Sequence, residues 1–364
     1  MSFRCGIIGL PNVGKSTIFN ALTKAHADVA NYPFTTVNFN KGIVAVPDER
    51  LGNLSRMFNP EKTTPTTIEF FDIAGLVKGA HKGEGLGNQF LSHINEVEIL
   101  CHIVRCFEDS NISHVYTELD PLRDIEIINT ELLLKDLETI DKRIKKCEPL
   151  VRSGDKKAKE VLVVYNKIKD SIEKGIPVRD VSLNKEDEEH LGDVGFLTEK
   201  DVLYIANVRD DELPTGGALT QTLSSYAQGH NAPVVILSGK IEEELTELSH
   251  EESKQYLESY GLKESGLAHL ITASYKLLGL VTFFTVVGPE VRAWTVRGGT
   301  LAPQAAGKIH TDFERGFISC DIVSYDSLIE CGSWNAAREA GHFRHEGRNY
   351  KIQDGDVCHF KFNV

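Results

Sequence analysis

Short continuous apolar runs recur along the first two-thirds of the chain, at residues 5–8, 43–46, 68–72, 100–106, 202–206 and 234–237. Unbroken apolar runs of this length fit strands covered on both faces by helices, as in a parallel sheet. Residues 16–24 follow the first run with a helical spacing that puts Ile18, Phe19 and Leu22 on one face. The pattern therefore predicts an α/β fold with a doubly wound, mostly parallel sheet.

Two stretches break this texture. Between the fourth and fifth strands, Leu133, Leu137, Ile140, Ile144, Cys147 and Val151 step by four and three. Ser153-Gly154-Asp155 interrupts the pattern, and Ala158, Val161, Tyr165, Ile168 and Ile172 resume it until Gly175 and Pro177. That spacing predicts an antiparallel helical hairpin with a coiled-coil-like seam. Residues 241–279 read as helical. From Val281 onward the chain turns to short alternating strands at 281–287, 291–296, 316–323 and 357–363, with a helix over 302–309. The predicted division is a discontinuous nucleotide-binding domain (1–120 and 200–278), a helical insertion (121–199) and a C-terminal α+β domain (279–364).

Length supports that division, since 364 residues exceed one ordinary core. No apolar run approaches the roughly 20 residues of a membrane span, and the first residues carry no signal-peptide pattern. The expected location is the cytoplasm, with no membrane partner. Seven cysteines without a C-x-x-C pair fit reduced structural thiols. The net charge of -13 argues against a protein that coats nucleic acid, DNA included. Against that background, residues 142–159 hold eight Lys or Arg and two acids. This hairpin tip is either a solvated polar face or an RNA contact.

The chemistry concentrates where the first strand ends. Gly9 to Ser16 fits G-x-x-x-x-G-K-[ST], with a strand before it and a helix after it. Gly9 and Gly14 let the backbone wrap so that its N–H groups converge on phosphate. Lys15 adds a point charge near the outer phosphates, and the Ser16 hydroxyl is placed for Mg²⁺. The loop at residues 31–36 offers Thr36 for Mg²⁺ and the terminal phosphate. Asp72-Ile73-Ala74-Gly75 ends a strand in D-x-x-G, the aspartate supporting Mg²⁺ and the Gly75 N–H sensing the last phosphate. Residues 79–87 carry four glycines and can change shape at little steric cost. Asn207-Val208-Arg209-Asp210 and Ser238-Gly239-Lys240 follow two later strands, at the sheet edge where such folds take their ligand.

Together these segments, with residues 31–34, 72–80 and 357–364, resemble the Obg-like ATPases, the YchF subfamily of the Obg translation-factor GTPases, along the whole chain. The resemblance implies a P-loop nucleoside triphosphatase whose insertion is a coiled coil and whose C-terminal piece is a TGS-like β-grasp domain. It implies ATP hydrolysis in preference to GTP, a regulatory role linked to translation or stress, and association with the ribosome, on the large subunit and its rRNA. Asn12, Val13, Gly14, Lys15, Ser16 and Thr17 would hold the phosphates, with Ser16 and Thr36 on Mg²⁺. Asn12 would also help coordinate K⁺, and Phe107, Asn207, Val208 and Ser238 would contact the base. Leu76 stands where many GTPases orient water with glutamine, and His114 matches the histidine the family uses instead. Val208, in place of the guanine-specific lysine, favours ATP. Asp210 and Ser238-Gly239-Lys240 lean towards the GTPase pattern. A GTP-specific translation GTPase and a nucleotide-gated binding protein are the alternatives.

Overall fold

The computed structural model describes residues 3–25, 41–73, 93–109, 118–192 and 194–363. Its contacts divide the chain into two units: Phe3–Gly42 with Glu69–Leu270, and Ile43–Ile68 with Ile271–Val364.

The first unit is built on a sheet whose order is β2(Lys41–Ala45), β4(Thr67–Asp72), β1(Arg4–Ile8), β5(Ile99–Arg105), β6(Asp201–Asn207), β7(Val234–Leu237). The ladders β1–β4, β1–β5, β5–β6 and β6–β7 are all parallel. Their apolar runs are buried as the pattern predicts; every residue of β5 is buried. His102 within it is held neutral, its pKa pushed down to about 3 by burial. Parallel register brings the C-terminal ends of β1, β4, β5, β6 and β7 to one edge, and the loops leaving that edge carry the predicted chemistry.

Helix α1(Lys15–Lys24) leaves β1 and buries Ile18, Phe19 and Leu22. The short strand β3(Lys62–Thr64) and helix α2(Glu49–Phe58) lie between β2 and β4. The insertion consists of α3(Pro121–Arg152) and α4(Lys156–Glu173). Asp120 caps α3 by accepting the Leu122 and Arg123 N–H groups, with Pro121 pre-set for the first turn. Asp155 caps α4 through the Ala158 N–H, after a turn in which Gly154 takes φ 91°. The seam positions Leu133, Ile140, Cys147, Ala158, Tyr165, Ile168 and Ile172 share one buried cluster. The returning chain is tied to α3 by Asp136, wholly buried, which accepts the Leu197 and Thr198 N–H groups at 2.8 Å and the Thr198 hydroxyl at 2.6 Å.

Helix α5(Lys185–Leu191) lies in the return of the insertion before β6; beyond β6 come α6(Ala218–Gly229), α7(Gly239–Leu245), α8(His250–Ser259) and α9(Gly266–Leu277). The stretch read as one helical region is thus three helices. The Ser249–Glu252 capping box starts α8, and Gly261 at φ 71° lies past its end.

The second unit has its own sheet, ordered β11(Arg344–Glu346), β10(Phe317–Ser324), β12(Asp356–Phe362), β8(Leu280–Thr285), β9(Glu290–Arg297), β3. Alternation along the strands sorts side chains into two cores. Phe283, Cys320, Ile322, Cys358 and Phe360 join Ala302, Ala305 and Ala306 of α10(Ala302–Ile309). Phe284, Val323 and Val357 join Leu51 and Leu54 of α2, Leu328 of α12(Tyr325–Cys331) and Ala337 of α13(Trp334–Glu339). A short α11(Thr311–Arg315) follows α10. Within residues 43–68, β3 pairs β9 and α2 supplies core leucines to the C-terminal unit, while β2 and β4 run in the first sheet. Among the described residues, no helix is long and apolar enough to cross a membrane.

Candidate functional site

A cavity of about 670 Å³ opens at the C-terminal edge of the first unit's sheet. Of the residues singled out from sequence, Asn12, Gly14, Lys15, Ser16, Thr17, Phe107, Asn207, Val208 and Ser238 line it. Val13 faces the core and contributes its backbone carbonyl. Thr36, Gly75 and His114 lie outside the described residues, as do Leu76 and the glycine-rich segment 79–87.

The phosphate-loop geometry follows from its glycines. Gly14 takes φ 95°, and a Cβ there would lie 2.2 Å from the Asn207 side-chain nitrogen. At Gly9 a Cβ would come within 2.8 Å of the Ile103 carbonyl, so this glycine lets the loop pass close over β5. Asn12 adopts the left-handed region at φ 62°, which asparagine tolerates better than most residues. Helix α1 begins at Gly14 with no side-chain cap and no acid in its first turn. Its leading N–H groups and positive end are thereby left for an anion. Lys15 Nζ donates to Asp72 Oδ1, joining the loop to the end of β4. Ser16 and Asp72 offer a hydroxyl and a carboxylate. Oxygen donors with one carboxylate suit Mg²⁺, which takes the rest of its shell from phosphates and water.

Asn207, at the end of β6 and 4% exposed, is the centre of the arrangement. Its Nδ2 donates to the Val13 carbonyl at 2.9 Å, and its Oδ1 accepts the Gly239 N–H at 2.9 Å. Its own carbonyl accepts the Cys106 N–H at 2.8 Å. One residue thus fastens the phosphate loop, the end of β5 and the start of α7. Val208 donates its N–H to Leu237, and Ser238 is buried beside it.

Two features escaped sequence reading. Arg105 ends the buried strand β5 and is itself 2% exposed. It donates to the Phe107 and Asp109 carbonyls at 3.1 and 3.2 Å and stacks 4.6 Å from the Phe107 ring centre. A cation closing a buried strand was the available signal. The second is a pair in the cavity lining: Lys240 Nζ donates to Asp210 Oδ2 at 2.8 Å. That bond holds the Asp210 carboxyl below its ordinary pKa and the Lys240 ammonium above its own.

A strand, a glycine-bounded loop with lysine and serine, an uncapped helix start and an aspartate on the adjacent parallel strand define a P-loop nucleoside triphosphatase. Two family models match: one described as "50S ribosome-binding GTPase" over residues 4–167, the other, YchF-GTPase_C, a "protein of unknown function", over 280–363. The chain is 51% identical to the Ribosome-binding ATPase YchF of Bacillus subtilis and 48% identical to that of Escherichia coli O157:H7, each over the full length of both proteins. It also matches the structure of the Schizosaccharomyces pombe YchF GTPase, with TM-score 0.89 and 37% identity over 99% of this chain and 98% of that one. The chain belongs to the YchF family.

Proposed function

We propose that this protein is a ribosome-binding ATPase that hydrolyses ATP to ADP and phosphate and uses the bound nucleotide as a switch linked to translation or stress. The observation that carries the reading is the Asn207 junction, which joins a complete phosphate loop to the two loops that would frame a base. The names of the full-length relatives support both the activity and the ribosome as partner.

In this reading the backbone from Asn12 to Thr17 cradles the phosphates, and Lys15 leaves Asp72 to meet the outer ones. Ser16, Thr36 and Asp72 would hold Mg²⁺, which when bound neutralises charge on the β- and γ-phosphates. Asn12 would help hold K⁺ as an activator. His114 would orient the attacking water, a task Leu76 cannot perform because it has no hydrogen-bonding group. Phe107 and Val208 would pack against the base, with Ser238 at its edge. ATP is favoured over GTP because Val208 replaces the lysine of the guanine motif and Asp210 is already paired with Lys240. One observation favours GTP instead: a carboxylate does occupy the guanine-reading position.

The helix pair α3–α4 acts here as the family's coiled coil, and the C-terminal unit as its TGS-like β-grasp domain. The basic tip (Lys156, Lys157 and Lys159) would contact rRNA of the large subunit; "50S ribosome-binding" in the matching family description supports that choice. The test is phosphate release from ATP together with cosedimentation with ribosomes. Reversing charge at the three lysines is expected to weaken cosedimentation, most at low salt and less as salt rises, and to leave hydrolysis unchanged. Unaltered cosedimentation would remove the tip from the interface. Separately, His114→Ala is expected to slow single-turnover hydrolysis while sparing ATP affinity; an unchanged rate would remove His114 from the mechanism.

A further inference from the structure

We infer that Lys240 is a specificity determinant, setting the preference for ATP over GTP by holding the Asp210 carboxylate out of reach of the base. The inference rests on the ATP reading above and supplies its mechanism.

Asp210 lines the cavity together with Val208 and Phe107. A carboxylate at that place is suited to guanine, whose ring N–H and amino group present two adjacent donors. Adenine presents a bare ring nitrogen at the corresponding edge, and a free carboxylate facing that lone pair is unfavourable. The residue type alone therefore points to guanine, and only its bonding points the other way.

Each carboxylate oxygen already accepts one bond. Oδ2 accepts from Lys240 Nζ at 2.8 Å, and Oδ1 accepts the Asp211 N–H at 3.1 Å. Lys240 and the Asp211 N–H set the direction of the carboxylate and take two of its roughly four acceptor sites, so reading guanine with both oxygens competes with the Lys240 bond. Lys240 enters from a different loop, the second residue of α7, whose first residue is fixed by Asn207. Its position is thus set by the same junction that orders the phosphate loop. The neighbouring Arg209 does not compete for Asp210, because its guanidinium is bonded to Asp211 at 2.9 and 2.6 Å.

The pair is open to solvent, with side-chain exposures of 66% for Lys240 and 30% for Asp210. Exposed pairs contribute little to folding stability, so loss of Lys240 should leave the protein folded. Its effect on selectivity is larger, because a base seated in the cavity excludes water from the bonds that discriminate it. A site that pairs a ligand's donors rejects the analogue lacking them far more strongly than an apolar site does.

The experiment is calorimetric titration of the full chain with the non-hydrolysable analogues AMPPNP and GMPPNP in the presence of Mg²⁺. It compares the unaltered protein with Lys240→Ala, Asp210→Ala and the double variant. Lys240→Ala is expected to shift the affinity ratio towards GMPPNP by roughly tenfold or more, the worth of one charge-assisted hydrogen bond. Adding Asp210→Ala should abolish that gain and return the ratio to that of Asp210→Ala alone. An unchanged ratio in Lys240→Ala overturns the inference and leaves the ATP reading standing. A GMPPNP gain that survives loss of Asp210 also overturns it, because the carboxylate is then not its source. Unaltered protein that prefers GMPPNP overturns the ATP reading and this inference with it.

Discussion

Asn207→Ala is the most informative single change to this site. It deletes two bonds of 2.9 Å, one to the phosphate loop and one to the start of α7. The side chain is almost fully buried, so its partners, the Val13 carbonyl and the Gly239 N–H, are left without it. Each lost neutral bond contributes about 0.5–1.5 kcal/mol, and each buried orphan costs about 1–3 kcal/mol. Water entering from the adjoining cavity would offset part of this, so the net loss is about 2–4 kcal/mol. The loops would then have to be gathered when nucleotide arrives. If about 2 kcal/mol of that loss falls on binding, affinity drops by roughly 30-fold. Calorimetry with AMPPNP and Mg²⁺ reads this directly, with circular dichroism checking that the chain stays folded. Affinity within twofold of the unaltered protein would refute the reasoning, because the loops would then be organised without the asparagine.

Two other positions give independent tests. Arg105→Ala removes the cation that ties down the Phe107 and Asp109 carbonyls and lies against the Phe107 ring. The KM for ATP should rise about tenfold with kcat less affected, since base positioning is lost and the phosphate machinery is not; an unchanged KM would show that Phe107 does not depend on Arg105. Glu242, 2% exposed, accepts the Gly266 N–H at 2.7 Å, and burial raises its pKa from 4.5 to about 7. The folded state therefore keeps a proton that the unfolded state releases between those values, and this group lowers stability as pH rises through that window. The penalty at and above neutral pH approaches about 3 kcal/mol. Glu242→Gln should gain stability relative to the unaltered protein on going from pH 5 to pH 8, as read by urea midpoints; parallel midpoints at the two pH values would contradict the assignment.

Much of this was legible in the sequence because the signals are local. The phosphate loop needs only its own spacing, and each buried strand announces itself by an apolar run. The helix pair is equally plain, since Leu133 to Ile172 keep one face. What stayed hidden depends on residues brought together from afar. Asn207 was recognised as a base-loop residue, yet its side chain serves as a fastener between Val13 and Gly239, both distant in sequence. The Asp210–Lys240 bond likewise needs two loops placed edge to edge. In the second unit, β3 is the polar Lys62–Thr64, with no alternation to mark it as an edge strand. Helix α13 is six residues long and started by Ser333, too short for a periodic signal. The grouping of α2 and β3 with the C-terminal residues is a matter of pairing and packing, to which chain order gives no clue.

The account depends on a triphosphate held by the loop from Asn12 to Thr17, with its base between Phe107 and Val208. A crystal structure of the protein grown with AMPPNP and Mg²⁺ tests that claim most directly. The account predicts phosphate oxygens on the Gly14, Lys15, Ser16 and Thr17 N–H groups, and adenine in the cavity beside Asn207. Nucleotide found elsewhere, or none at millimolar concentration, would contradict it.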